Sequence, residues 1–244
     1  MDRSTITKAV VLAAGRGTRM KSLTDDCPKP MLPLSGRPLL AHLTERMEEA
    51  GVREILVITG YKAHVVEDYF REHPPASVKL SYRLQEPQNG TGSAALLGRE
   101  FVGNDPFLLT FGDILVDTET YRTMFRLFAG AEAVLAVKHV DDPYQGAAVY
   151  VEGGRVTKII EKPPQGTSAT NWNNAGIYCV GSGIFDELAR VQLSPRGEYE
   201  LTDAIHQMLA AGVQFGWHEI KGFWRDVGRP EDLPQAEGYL RGER

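Results

Sequence analysis

Hydrophobic and polar positions along the chain fall into two regimes. Residues 9–14 form an unbroken apolar run of the kind that makes a strand buried on both faces. After a Gly36-Arg37-Pro38 turn, Leu39, Leu40, Leu43 and Met47 recur at helical spacing, with Pro38 expected at the first helical position and Gly51 as the C-terminal cap. Residues 54–59 read as a second buried strand. Val65, Val66, Tyr69 and Phe70 make one helical face that Pro74-Pro75 stops, and residues 78–82 alternate like a third strand. A helical run at 93–101, a strand at 106–112 and a helix at 117–128 continue the alternation. This order predicts the α/β class, with a doubly wound, mostly parallel sheet whose ligands sit at the carboxyl ends of its strands. From residue 133 the runs shorten. Segments 133–140, 146–151 and 155–160, with a Gly153-Gly154 hairpin turn, predict an inserted antiparallel β-rich part. A further strand starts at Asn174, and a short helix spans about 230–240.

Three of the connecting loops carry candidate chemistry. The first strand runs into Gly15-Arg16-Gly17-Thr18-Arg19, where two glycines let the backbone approach a ligand and expose successive N–H groups, with Lys21 and Lys29 following. Phosphate is the usual guest of such a loop. The G-x-x-x-x-G-K-[ST] phosphate loop is absent, and the G-x-G-x-x-G dinucleotide fingerprint fails at Met20. The glycines alone fit a triphosphate site or a plain turn beside solvated cations. Gln85, then Gly90-Thr91-Gly92, reads as a tight turn onto a helix capped by Thr91 or Ser93. Asp113 ends the strand at 106–112, facing a ligand crevice or capping the next helix.

Composition narrows the classes. With 244 residues the chain is long enough for one large α/β domain or two small ones, and 42% hydrophobic with 24% charged residues is ordinary globular usage. A net charge of −5 argues against broad nucleic-acid binding, so phosphate-binding cations must be local. No apolar run approaches a membrane span, and residues 1–8 contain no apolar leader core, so a cytoplasmic protein with no membrane partner is expected. Cys27 and Cys179 form no disulfide framework, and six scattered histidines form no metal-ligating cluster.

The separated motifs, taken together, are more specific. L-A-A-G-x-G-T-R-M followed by P-K-P-M-L-P, then Gln85 before G-T-G-S-A, Gly112-Asp113, Glu161-Lys162-Pro163, Asn174-Ala175-Gly176-Ile177-Tyr178, R-G-E-Y-E-L-T-D from Arg196 and W-R-D-V-G from Trp224 span nearly the whole chain in order. This set resembles the sugar-1-phosphate nucleotidylyltransferases, which make nucleotide sugars from a nucleoside triphosphate and a sugar 1-phosphate. The resemblance implies a Rossmann-like domain over 1–244, with a nucleotide-binding part to about 130, a sugar-phosphate-binding part at about 131–229 and a C-terminal helix. It implies that Ala13, Ala14, Gly15, Gly17 and Thr18 wrap the triphosphate, that Arg19 and Lys29 contact its phosphates, and that Gln85, Gly90 and Thr91 read the base. It further implies that Asp113 and Asp226 hold Mg²⁺, Asp113 also touching the nucleotide, and that Gly146, Glu161, Lys162, Asn174, Tyr178 and Arg196 bind the sugar phosphate. UTP or dTTP with glucose 1-phosphate is the favoured pair; guanylyl or cytidylyl transfer, or a non-catalytic nucleotide-sugar sensor, are the alternatives. A homo-oligomer is compatible with the family. Residues 164–173 are expected to form a mobile loop over the site, and the chain leaves no room for the β-helical acyltransferase extension of some relatives. The Q-N-G-T-G-S-A loop matches no single activity of the family, and the Asn171-Trp172-Asn173-Asn174 run is unusual for it.

Overall fold

In the computed structural model, residues 5–243 are described; the expectation that no leader precedes the first strand falls partly on residues 1–4, outside them. Strand β1 (Lys8–Leu12) is followed by a short hairpin of β2 (Pro33–Leu34) and β3 (Arg37–Pro38), then α1 (Leu39–Ala50), β4 (Glu54–Thr59), α2 (Ala63–Glu72) and β5 (Lys79–Leu84). Two short helices, α3 (Thr91–Leu96) and α4 (Arg99–Val102), lead to β6 (Phe107–Phe111), β7 (Ile114–Val116) and α5 (Thr118–Phe128). The β-rich part comprises β8 (Ala133–His139), β9 (Ala147–Glu152), β10 (Arg155–Glu161) and β11 (Trp172–Val180). The chain closes with α6 (Ile184–Leu188), α7 (Leu201–Ala210), β12 (Phe215–Glu219), β13 (Trp224–Asp226) and α8 (Leu233–Leu240).

The parallel strands β5, β4, β1 and β6 sit side by side, and β11 joins β6 antiparallel. Successive residues of β1 explain why its run lacks polar breaks. Ala9, Val11 and Ala13 pack into the core on the α1 and α5 side, whereas Val10, Leu12 and Ala14 pack into the core on the α6 and α7 side. A period of two with both faces covered requires apolar residues at every position. The expected helix at 93–101 breaks into α3 and α4 at Gly98, where a Cβ would lie 3.0 Å from Val10 Cγ2, so the helical layer bends to sit against β1. Pro38 lies in β3, one residue ahead of the helix it was expected to open. Asp117 caps α5 by accepting from the Thr120 N–H, which leaves Asp113 free of the capping role.

Strand β11 shapes the site. Its carboxyl half, Ile177–Val180, pairs with β6, but at Asn173 it pairs instead with Ala148 of β9. Its other edge pairs with β8, and that register is interrupted between Asn174 and Tyr178, where Gly176 adopts φ 76°. A Cβ at Gly176 would meet the Phe111 ring at 2.5 Å, so only glycine allows the strand to bulge there. The sheet therefore splits at the carboxyl end of β6, and a cleft opens in the split.

Candidate active site

The cleft has a volume of about 750 Å³ and is bordered by the ends of β1, β6 and β11 together with the loops after β5, β8, β10 and β13. Of the residues expected at the site, Ala14, Gly15, Arg19, Gln85, Gly90, Thr91, Asp113, Gly146, Glu161, Lys162, Asn174 and Asp226 line this one cavity. Ala13, Gly17, Thr18, Lys29, Tyr178 and Arg196 are not in its lining.

The two loop glycines have different reasons to be glycine. A Cβ at Gly15 would have no neighbour within 4 Å, so its backbone faces open space on the cleft. Gly17 has φ 69°, and a Cβ there would lie 2.8 Å from Lys29 Cβ. The second glycine thus admits Lys29 beneath the loop. The 3₁₀ segment Thr18–Thr24 breaks at Lys21, and the Thr24 hydroxyl donates to the Gly17 carbonyl at 3.1 Å. Outside the loop, the Tyr61 hydroxyl and the Lys62 ammonium each donate to the Asp25 carbonyl at 2.7 Å, and the Arg16 guanidinium lies 5.3 Å from the Tyr61 ring centre.

Two aspartates distant in sequence meet here. Asp113 follows β6 directly, and β13 pairs antiparallel with β7 so that Asp226 faces Ile114. The Val227 N–H donates to the Asp113 carbonyl at 2.9 Å and fixes the approach. The Lys29 ammonium donates to Asp113 Oδ2 and lies 3.5 Å from Asp226 Oδ1. Arg19 is adjacent, since a Cβ at Gly228 would lie 3.0 Å from Asp226 Oδ1 and 3.4 Å from Arg19 Nη2. Asp226 Oδ1 is shielded from solvent and accepts no hydrogen bond. Burial first, then the Asp113 charge, raises the Asp226 carboxyl above the usual carboxylate range, against the pull of Lys29 and Arg19. Burial alone would lower the Lys29 ammonium, but Asp113 and Asp226 outweigh it and raise it.

The loop after β5 differs from its expectation in detail. Gly90, not Thr91 or Ser93, occupies the cap position of α3, and no side chain caps the helix. Gly90 has φ 127°, and a Cβ there would lie 2.4 Å from the Tyr199 carbonyl oxygen. The Gly92 N–H donates to the Tyr199 carbonyl at 2.7 Å, the Tyr199 N–H to the Asn89 carbonyl at 2.9 Å, and the Leu201 N–H to Thr91 Oγ1 at 3.0 Å. The glycines therefore dock this loop onto the Arg196–Asp203 motif. The Gln85 amide NH₂ donates to the Gly90 carbonyl and to Ser93 Oγ, both at 2.9 Å. Its donors hold the loop, and only its carbonyl oxygen remains for a ligand.

In the loop after β10, Lys162 is exposed, adopts φ 38° and donates its N–H to the Gly146 carbonyl at 2.7 Å. A lysine held in the left-handed region at a cleft marks strain maintained by its surroundings. Gly146 cannot carry a side chain, because a Cβ would lie 2.2 Å from Asn173 Oδ1. Asn174 accepts from the Gly176 N–H at 3.2 Å and donates to the hydroxyl of Tyr178. Tyr178 is wholly buried and its phenol is raised by that burial, so it positions Asn174 from behind. Arg196 is exposed and is paired with carboxylates, 2.9 Å from Glu200, 3.4 Å from Glu161 and 3.5 Å from Glu198. Burial and the neighbouring Glu200 push Glu161 up to about 7, although Lys162, Thr202 and Arg196 favour its charged form. Sequence reasoning passed over Asp142, Gln145, Glu198, Thr202, Arg225 and Arg229, which also line the cleft. Arg225 lies inside the W-R-D-V-G motif, and Glu198 and Thr202 lie inside R-G-E-Y-E-L-T-D, so the signal was present in motifs already singled out. The loop before β11 ends two residues earlier than expected, with Trp172 already in the strand.

The cleft thus brings together a glycine loop, several cations, two aspartates and a lysine-bearing turn. In comparison with known proteins, the chain matches the profile described as Nucleotidyl transferase over residues 8–241 and belongs to that family. Members of this family generally use a divalent metal ion. The chain is 33% identical over 240 residues to the UTP–glucose-1-phosphate uridylyltransferase AglF of Haloferax volcanii, covering 97% of each. It is 36% identical over 233 residues to the bifunctional protein GlmU of Methanocaldococcus jannaschii, covering 95% of this chain and 54% of that protein. It thus spans about half the length of the GlmU relatives it matches. Among solved structures, a UDP-glucose pyrophosphorylase complexed with UDP-glucose superposes with a TM-score of 0.87 at 26% identity, covering 98% of this chain and 100% of the other. The mixed sheet is of the Rossmann-like kind shared with these neighbours. Among the described residues no helix is long and apolar enough to cross a membrane.

Proposed function

We propose that the protein joins a nucleoside triphosphate, UTP or dTTP, to a sugar 1-phosphate, glucose 1-phosphate first among them, releasing pyrophosphate in the cytoplasm. The observation that carries this reading is that residues expected of two half-sites line one cleft: Gly15, Arg19, Asp113 and Asp226 in one set, Lys162, Glu161 and Asn174 in the other. A division into a nucleotide part before about residue 130 and a sugar-phosphate part after it fits these two sets except for Asp226, which β13 carries back beside Asp113. The uridylyltransferase named among the relatives and the UDP-glucose complex among the solved structures support the choice of base and sugar.

In this reading an oxygen of the sugar phosphate attacks the α-phosphorus of the nucleotide, and pyrophosphate leaves in line. The second pKa of a phosphate is about 6, so the nucleophile is ionised near neutrality and needs no side-chain base. Lys162 holds it, with its backbone fixed by Gly146. Arg19 and Lys29 take up negative charge on the leaving pyrophosphate, and the Gly15 backbone lies open to the phosphates. Gln85 keeps one acceptor oxygen for a base N–H, which uracil and thymine provide. The carboxylates of Asp113 and Asp226 fit Mg²⁺: they are hard oxygen ligands, they converge, and Asp226 Oδ1 is shielded without a donor. Bound there, the ion would neutralise charge at the α-phosphate. A matrix of nucleoside triphosphates against sugar 1-phosphates, read by pyrophosphate release, tests the proposal. UTP or dTTP with glucose 1-phosphate should give the highest kcat/KM; GTP in first place would refute the reading of Gln85, and silence throughout would refute the activity.

A further inference from the structure

Lys29 stands where a cation between Asp113 and Asp226 would stand. Its ammonium donates to Asp113 Oδ2 and lies 3.5 Å from Asp226 Oδ1. The side chain is 9% exposed and is hemmed in by Gly17, whose missing Cβ leaves it room. Asp226 Oδ1 accepts no hydrogen bond, so its compensation in this structure comes through charge, from Lys29 and from Arg19 beside it. Two carboxylates this close repel each other unless a cation lies between them.

We propose that Lys29 is the exchangeable counter-ion of this carboxylate pair, keeping the divalent-cation position closed until a triphosphate draws the ammonium away. The inference rests on the reading of the pair as a metal site. Mg²⁺ binds oxygen at about 2.0–2.1 Å, so an ion touching both Asp113 Oδ2 and Asp226 Oδ1 would overlap the space the ammonium fills. Lysine suits the exchange: its charge is compact, its stem has four rotatable methylenes, and it makes no fixed bidentate grip. Phosphate oxygens entering along the open Gly15 backbone offer the ammonium an alternative anion close at hand. Once it turns to them, the carboxylates are left with excess negative charge and take up the divalent ion. Metal and triphosphate then enter together, and the ammonium returns when products leave.

The test is Mn²⁺ binding, followed by electron paramagnetic resonance in the absence of any nucleotide. The wild-type protein should bind Mn²⁺ weakly. Lys29→Met, which keeps the stem and removes the charge, should bind it at least about tenfold more tightly, the loss of one competing cation. Lys29→Arg should stay as weak as wild type, and Asp226→Asn added to Lys29→Met should abolish the gain. Tight binding by the wild type, no gain in Lys29→Met, or an equal gain in Lys29→Arg would each overturn the proposal. Should Lys29→Met fail to fold in chelator, Mn²⁺ must restore its circular dichroism, since the ion replaces the ammonium; failure to restore it also overturns the proposal. Because the readout is metal binding, a protein without nucleotidyl transfer activity would still return an answer.

Discussion

Gly90→Ala is the substitution whose consequence follows most directly from the coordinates. Gly90 adopts φ 127° and ψ 167°, a region essentially restricted to glycine. An alanine Cβ would lie 2.4 Å from the Tyr199 carbonyl oxygen and 2.6 Å from the Tyr199 nitrogen, both backbone atoms that cannot swing aside. The loop must therefore undock. Undocking releases the Gly92–Tyr199, Tyr199–Asn89 and Leu201–Thr91 hydrogen bonds. At about 1 kcal/mol net for each bond and about 1–2 kcal/mol for the backbone, the loss is roughly 4–5 kcal/mol. Gly103→Ala is the matched control. It also has positive φ, 62°, but nothing lies within 4 Å of the added Cβ, so about 1–2 kcal/mol is expected from strain alone. Equilibrium urea unfolding, followed by tryptophan fluorescence, gives both values. Kinetics add a second reading. Tyr199 precedes Thr202, which donates to Glu161 at 3.2 Å, so undocking disturbs both walls of the cleft and should raise KM for both substrates. A Gly90→Ala protein no less stable than Gly103→Ala, with unchanged KM values, would refute the docking argument.

Three further outcomes are expected. Asp113→Asn and Asp226→Asn should each lower kcat by at least about a hundredfold, and the double variant should be little worse because the pair acts as one unit; steady-state kinetics at saturating Mg²⁺ decides. Lys162→Ala should raise KM for the sugar phosphate by about tenfold to a hundredfold, the range of a charge-assisted contact, while initial-rate kinetics show KM for the triphosphate nearly unchanged. Glu161 sets a pH dependence whose sign is fixed by the direction of its shift. Its carboxyl is raised to about 7 in the folded protein by burial and by Glu200, so the folded state holds the proton more tightly than the unfolded chain does. The stability it contributes is complete below the unfolded value near 4.5 and is lost as pH rises through about 7. Relative to Glu161→Gln, the wild type should therefore lose roughly 3 kcal/mol between pH 4.5 and 7.5, measured by urea midpoints in chelator. A flat difference would show that Glu161 is not held in this way.

Local patterning revealed the parallel half of the fold because each element there is specified by its own residues. The expected strand at 54–59 coincides with β4, and the Gly153-Gly154 turn joins β9 to β10 with φ 56° and 78°. The split sheet was not legible, because it depends on which strand β11 chooses at each end, a matter of Gly176 packing on Phe111. The pairing of β7 with β13, which brings Asp226 to Asp113, joins segments too short to show any period. Motif resemblance supplied what periodicity could not at the site, but it did not distinguish lining from support. Tyr178 and Arg196 read as ligands in sequence; in the structure Tyr178 is buried and bonded to Asn174, and Arg196 is exposed and paired with three carboxylates. Gly90 and Gly92 read as a turn, whereas their lack of side chains serves a contact with Tyr199, far along the chain.

The central claim is that the α-phosphorus is the reacting atom. Incubating the protein with Mg²⁺, glucose 1-phosphate and UTP labelled separately at the α- and γ-phosphates tests it in one experiment. The account requires the α-label to appear in the nucleotide sugar and the γ-label in pyrophosphate, with both transfers lost in Asp226→Asn. A γ-label found on the sugar, or no movement of either label with UTP or dTTP, would contradict it.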